Sequence, residues 1–86
     1  MPEICRFYGI VIKMYFADHS PPHFHVEYGS DAAVIDIRTM AIIGGSLPSR
    51  ALGMTVEWAS LHRNELMEFW KKASEMQPLG KIEPLQ

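Results

Sequence analysis

The chain has 86 residues and a mass of 9.8 kDa, enough for one domain with one modest core. Apolar residues make up 48% and charged residues 21%, and no apolar run approaches the ~18 residues of a membrane span, so disordered and transmembrane readings are excluded. Eight Lys and Arg against ten Asp and Glu leave a formal net charge of −2, so any phosphate binding requires a local patch rather than a general electrostatic attraction.

The single Cys5 excludes an internal disulfide, and the opening Met-Pro-Glu lacks the charged and apolar regions of a secretion signal, so the expected location is the cytoplasm. From Arg6 to Phe16 the sequence RFYGIVIKMYF has a strand composition. Alternation places Tyr8, Ile10, Ile12, Met14 and Phe16 on one face and Phe7, Val11, Lys13 and Tyr15 on the other. Both faces are largely apolar, which calls for cover on two sides.

Asp18 to Pro22 (DHSPP) reads as a loop, because proline lacks the N–H that a ladder needs. The next strand, 23–29, alternates strictly, with Phe24, Val26 and Tyr28 on one side and His23, His25 and Glu27 on the other. Gly29, Ser30 and Asp31 supply turn chemistry before a return strand over 32–38. Matching apolar partners sets Tyr28 opposite Ala33, Val26 opposite Ile35 and Phe24 opposite Ile37. His25 then faces Asp36, and His23 faces Arg38. A short strand near Ala41 to Ile43 can follow, ended by Gly44 and Gly45.

From Pro48 to about Glu75 the apolar spacing becomes helical, with Pro48 suited to the first turn and Ser46 or Ser49 available as caps. Leu52, Val56, Ala59, Leu66, Met67, Phe69, Trp70 and Ala73 gather on one arc, into which His62 and Arg63 also fall. His62 reads most simply as a hydrogen-bonded core residue and Trp58 as core. Residues 76–86, with two Pro and one Gly, form an extended tail. The predicted fold is therefore a single α+β domain over 1–86. It comprises a small antiparallel sheet of three to four strands packed on one long helix in the C-terminal half, followed by that tail.

Three of the four histidines, His19, His23 and His25, fall within seven positions. Three imidazoles beside Asp18, Glu27 or Asp36 could hold zinc or another first-row divalent ion. The same face could cleave RNA without metal. His25 paired with Asp36, and His23 beside Arg38, would divide acid and base work, and the guanidinium would meet the phosphorane-like charge. The plain alternative is a solvated sheet face of cross-strand polar partners.

The segments MPEICRFYGIVIKMYFADHSPPHFHVEYG, LPSRALGMTVEWASLHRNEL and KIEPL resemble a small bacterial domain-of-unknown-function family, number four-one-six-zero, over nearly the whole chain. The most specific stretch runs from Asp18 to Val26, where the double Pro and the His-x-His pair stand together. Arg38 to Ala41 departs from the family's pattern, in which Asn-Gly or a similar turn is usual. The resemblance implies a small partner protein encoded nearby, in an arrangement similar to toxin–antitoxin pairs. The expected function is thus a cytoplasmic component of a two-protein module, acting on RNA or carrying a metal through its histidine face. A non-catalytic protein-binding module is the alternative. A homodimer, a hetero-oligomer or the tail residues Leu79, Ile82 and Leu85 could cover the second face of the first strand.

Overall fold

The computed structural model describes residues 3–86; the Met-Pro opening of the predicted domain lies outside them. Five strands, β1 (Glu3–Phe7), β2 (Ile10–Lys13), β3 (His23–Tyr28), β4 (Asp31–Asp36) and β5 (Ile42–Gly45), form one antiparallel sheet in sequence order. Two helices, α1 (Ser49–Leu61) and α2 (Arg63–Ser74), follow, and residues 77–86 carry neither helix nor strand. The α+β class is as expected, but the sheet has one strand more than the three to four predicted, and the single long helix is two.

The extra strand arises at Tyr8–Gly9. Both residues have positive φ, +49° and +82°, the sign pattern of the type I′ turn whose twist matches paired strands. The predicted strand 6–16 is therefore a hairpin in which Phe7 lies opposite Ile10 and Cys5 opposite Ile12. A two-residue turn puts Phe7 on the face of Ile10 and Ile12, so it is buried against Trp58 rather than displayed with Val11 and Tyr15.

The β3–β4 register also differs from the expected one. The turn residues are Gly29 and Ser30, with Gly29 at φ +59° as a type II′ turn requires, and Tyr28 lies opposite Asp31. Phe24 then faces Ile35, Val26 faces Ala33, His25 faces Val34 and His23 faces Asp36. The slip is two residues, which leaves every side chain on its predicted face. Hydrophobic alternation alone therefore could not exclude it. It does remove the expected pairings of His25 with Asp36 and of His23 with Arg38.

The inner face of the sheet (Phe7, Ile10, Ile12, Phe24, Val26, Ile35) packs on Ala51, Trp58, Ala59, Leu66, Phe69 and Ala73 of the helices. The helix breaks at His62, whose φ of −122° and ψ of 25° are not helical. The His62 ring donates from Nδ1–H to Glu65 Oε1 (2.6 Å) and lies against Trp58. Pro48 occupies the N-cap of α1, and neither Ser46 nor Ser49 caps it through a side chain. The tail is not free. Its Ile82 N–H donates to the Ile4 carbonyl (2.9 Å), the Ile82 side chain joins the core, and the Glu83 carbonyl accepts from the buried Trp58 indole (2.7 Å). The chain thereby covers part of β1, the first edge strand. Among the described residues, no helix is long and apolar enough to cross a membrane.

Candidate metal centre

The loop between β2 and β3 brings the chemistry together. Its Ala17 amide donates to the carbonyl of Ala73 at the end of α2 (3.2 Å), and Ile37 N–H donates to the Pro22 carbonyl (3.0 Å), which fixes the loop at both ends. Held there, Asp18 turns its carboxylate toward the start of β3. The two histidines at alternate positions of that strand project from the same outer face.

One carboxylate oxygen, Asp18 Oδ2, meets both imidazoles, 2.9 Å from His23 Nε2 and 3.1 Å from His25 Nε2. The other oxygen, Oδ1, accepts the His19 backbone N–H at 3.0 Å. On the far side of the first ring, His23 Nδ1–H donates to the Pro21 carbonyl at 2.6 Å. A carbonyl only accepts, so the Nδ1 proton is committed and Nε2 is the nitrogen turned to the site. The His23 ring packs on Trp70 of α2 (centroids 5.0 Å apart), and the edge of the Tyr15 ring meets His25 (4.6 Å, 81° between planes).

Burial alone would raise the Asp18 carboxyl. The hydrogen bonds from His25, the His19 amide and His23, with the charge of His23, outweigh it and hold the group below its ordinary value. The site is sided: the His23 side chain is 9% exposed, whereas His25 and Asp18 are 27% and 26% exposed. Anything bound between them is reached from the side of His25 and Asp18, not past His23.

These three groups are metal-ligand types whose donor atoms all lie within 4.8 Å of one another. Two donors, each about 2.1 Å from one ion and roughly 90–110° apart, are separated by about 3.0–3.4 Å; the Asp18–His25 separation of 3.1 Å falls in that range and the Asp18–His23 separation of 2.9 Å lies just below it. The Nδ1–H to carbonyl bond of His23 is the outer contact that metal-bound histidines usually carry, since it fixes the tautomer and orients the ring.

The other candidates lie elsewhere. His19 contributes its amide, not its ring, to the Asp18 contacts and stands outside the three-residue group. Asp36 is buried, but its Oδ1 accepts the backbone N–H groups of Arg38 (2.7 Å) and Thr39 (3.2 Å), and so closes the turn after β4. Arg38 is largely exposed, with its Nε 3.9 Å from Asp36. Glu27 pairs with Lys13 (2.9 Å). The Asp18 carboxylate, one of three oxygen ligands open from the sequence, is the one that meets the histidines. The packing of Trp70 on His23 has no signal in the sequence, because Trp70 stands on the helix's apolar arc and reads as core.

No curated protein and no solved structure matches the chain. A family model described as "Domain of unknown function (DUF4160)" matches residues 9–71, a span that contains Asp18, His23, His25, Tyr15 and Trp70, and the chain belongs to that family.

Proposed function

We propose that the chain is a small divalent-transition-metal domain in which Asp18, His23 and His25 are the protein ligands and the remaining coordination positions face solvent. Two imidazoles and one carboxylate are a donor set for zinc or a similar first-row ion, and three protein ligands rather than four are the mark of a site that activates water or a substrate oxygen. The observation that carries the reading is the convergence of two Nε2 atoms on one carboxylate oxygen, with the His23 Nδ1 proton held by Pro21. Metal binding would displace the protons now shared between the rings and Asp18. Metal-independent RNA cleavage has weaker support, since its required Asp36 and Arg38 are engaged at the turn after β4. A cytoplasmic role beside a small partner protein, in a toxin–antitoxin-like pair, remains part of the proposal. It draws support from the partly exposed apolar residues Val11, Tyr15 and Val34 on the sheet face that the helices leave uncovered.

The test is a titration of the chelator-treated protein with Zn²⁺ and Co²⁺, followed by calorimetry, melting temperature and cobalt absorption. One equivalent should bind and raise the melting temperature, because the ion binds the folded state. His23→Ala, His25→Ala and Asp18→Ala should each weaken binding by at least about 100-fold, more than the 10–100-fold typical of an outer contact. His19→Ala should retain it. A melting temperature unchanged across the titration, with no cobalt spectrum, refutes the reading.

A further inference from the structure

His25 has two neighbourhoods. Its Nε2 faces Asp18, while its ring also walls a groove of about 200 Å³ on the outer sheet face, across β3, β4 and the end of β5. Tyr15 stands beside His25 at the head of the groove, and Ala32, Val34 and Gly44 line its length. The groove exists because small residues occupy the neighbouring strands: Gly44 lies opposite Val34, and a Cβ placed there would reach only ordinary contact with the Val34 side chain, at 3.7 Å. At the far end Glu27 is neutralised by Lys13, 2.9 Å away, so the groove offers no unbalanced charge. A cavity of ~150 Å³ accommodates a benzene ring, so there is room for one ring or a short branched chain.

We infer that this groove is the substrate pocket of the metal centre, and that the substrate is a small molecule with a metal-binding oxygen head and an uncharged, apolar group about the size of a phenyl ring. The inference rests on the metal reading of Asp18, His23 and His25. The sidedness of that site supplies the link, because the site opens where His25 and Asp18 are exposed, and His25 also borders the groove. A head group bound at the open positions would carry its attached group past Tyr15 and onto Ala32, Val34 and Gly44. A charged substituent would gain no free partner there, since Glu27 is already paired with Lys13.

The probes are two hydroxamates, which share one metal-binding head and differ in what it carries. Acetohydroxamate and benzohydroxamate are titrated into the cobalt-loaded protein, with the cobalt spectrum as the readout. Benzohydroxamate should bind at least about tenfold more tightly, equal to about 1.4 kcal/mol. Gly44→Val fills the groove from a strand position with room for a side chain, away from all three ligands. It should reduce the ratio to about twofold or less, while leaving the affinities for Co²⁺ and for acetohydroxamate unchanged. Equal affinities of the two hydroxamates for the parent protein overturn the pocket and leave the metal centre standing, as does a preference that survives Gly44→Val. Bound cobalt that takes neither hydroxamate overturns the open positions and the pocket together. Failure of cobalt to bind overturns the metal centre and the pocket alike. Should Gly44→Val fail to fold, Val34→Phe tests the same filling from the opposite strand.

Discussion

Replacing Ile82 by alanine tests whether the tail is part of the folded domain. The side chain is 4% exposed and belongs to the same core as Trp58, Ile4 and Phe7. Deleting buried methyl and methylene groups of an Ile costs roughly 2–5 kcal/mol, and a site on an extended tail can settle inward, which places the expected loss near the lower end, about 2–3 kcal/mol. A domain of this length has on the order of 5–10 kcal/mol in total, so roughly a fifth or more of the stability is at stake. At about 4–8 °C per kcal/mol, the melting temperature should fall by roughly 10–20 °C. The tail also holds the acceptor for Trp58: the Glu83 carbonyl lies 2.7 Å from its indole nitrogen. If the tail loosens, that N–H turns to water, and tryptophan emission should shift to the red. Circular dichroism against temperature gives the first quantity, and emission in a Trp70→Phe background gives the second. A melting temperature within about 2 °C of the parent, with unshifted emission, would refute the claim that the tail closes the core.

Two glycines should respond in opposite directions. Gly45 has φ +71°, and a Cβ there would overlap the Ala32 carbonyl oxygen, so Gly45→Ala should cost about 3 kcal/mol in urea denaturation. Gly53 lies in α1 with nothing near a Cβ, so Gly53→Ala should add about 0.5–1 kcal/mol; a loss would contradict the helical assignment. The Asp18 carboxyl is held below its ordinary value in the folded protein, so it contributes stability above the unfolded carboxylate range, and that contribution is lost as pH falls through the folded value. In the presence of a chelator, the stability gap between the parent and Asp18→Asn should be present at about pH 6 and narrow toward about pH 3, and an undiminished gap would rule out the cause. Burial pushes the Cys5 thiol up, so a disulfide reagent should modify it slowly in the native protein and fast in urea; immediate modification without denaturant would contradict its burial.

The parts of the fold legible in the sequence were those encoded by periodicity. The alternation of HFHVEY set which residues of β3 face the helices, and that assignment survived a register slip of two, because the pleat repeats every two residues. What periodicity does not encode is punctuation. Tyr8–Gly9 sits within an unbroken apolar run, and only its left-handed backbone makes it a hairpin turn. The break at His62 is similarly hidden, since apolar residues continue on both sides. Its physical basis is local: His62 closes α1 through its N–H to Ala59 and opens α2 through its carbonyl to Leu66.

The site shows the same division. The spacing of His23 and His25 dictates that their rings leave the strand on one side, so the pair was legible without coordinates. Their acidic partner was not decided by spacing, because Asp18, Glu27 and Asp36 all lie within reach in sequence. Competing backbone and side-chain demands decide it. The turn after β4 takes the Asp36 carboxylate for the amides of Arg38 and Thr39, and Lys13 takes Glu27 on the neighbouring strand. Asp18 alone of the three sits on a loop tied by a backbone hydrogen bond to the end of α2, and that tie presents its carboxylate to both rings. The helix therefore takes part in the site from two directions, through the Ala73 carbonyl that holds the loop and through the Trp70 ring that backs His23. Trp70→Ala, which removes the ring behind His23, should weaken zinc binding in the calorimetric titration although it removes none of the three ligands, and an unchanged affinity would refute this part for the helix.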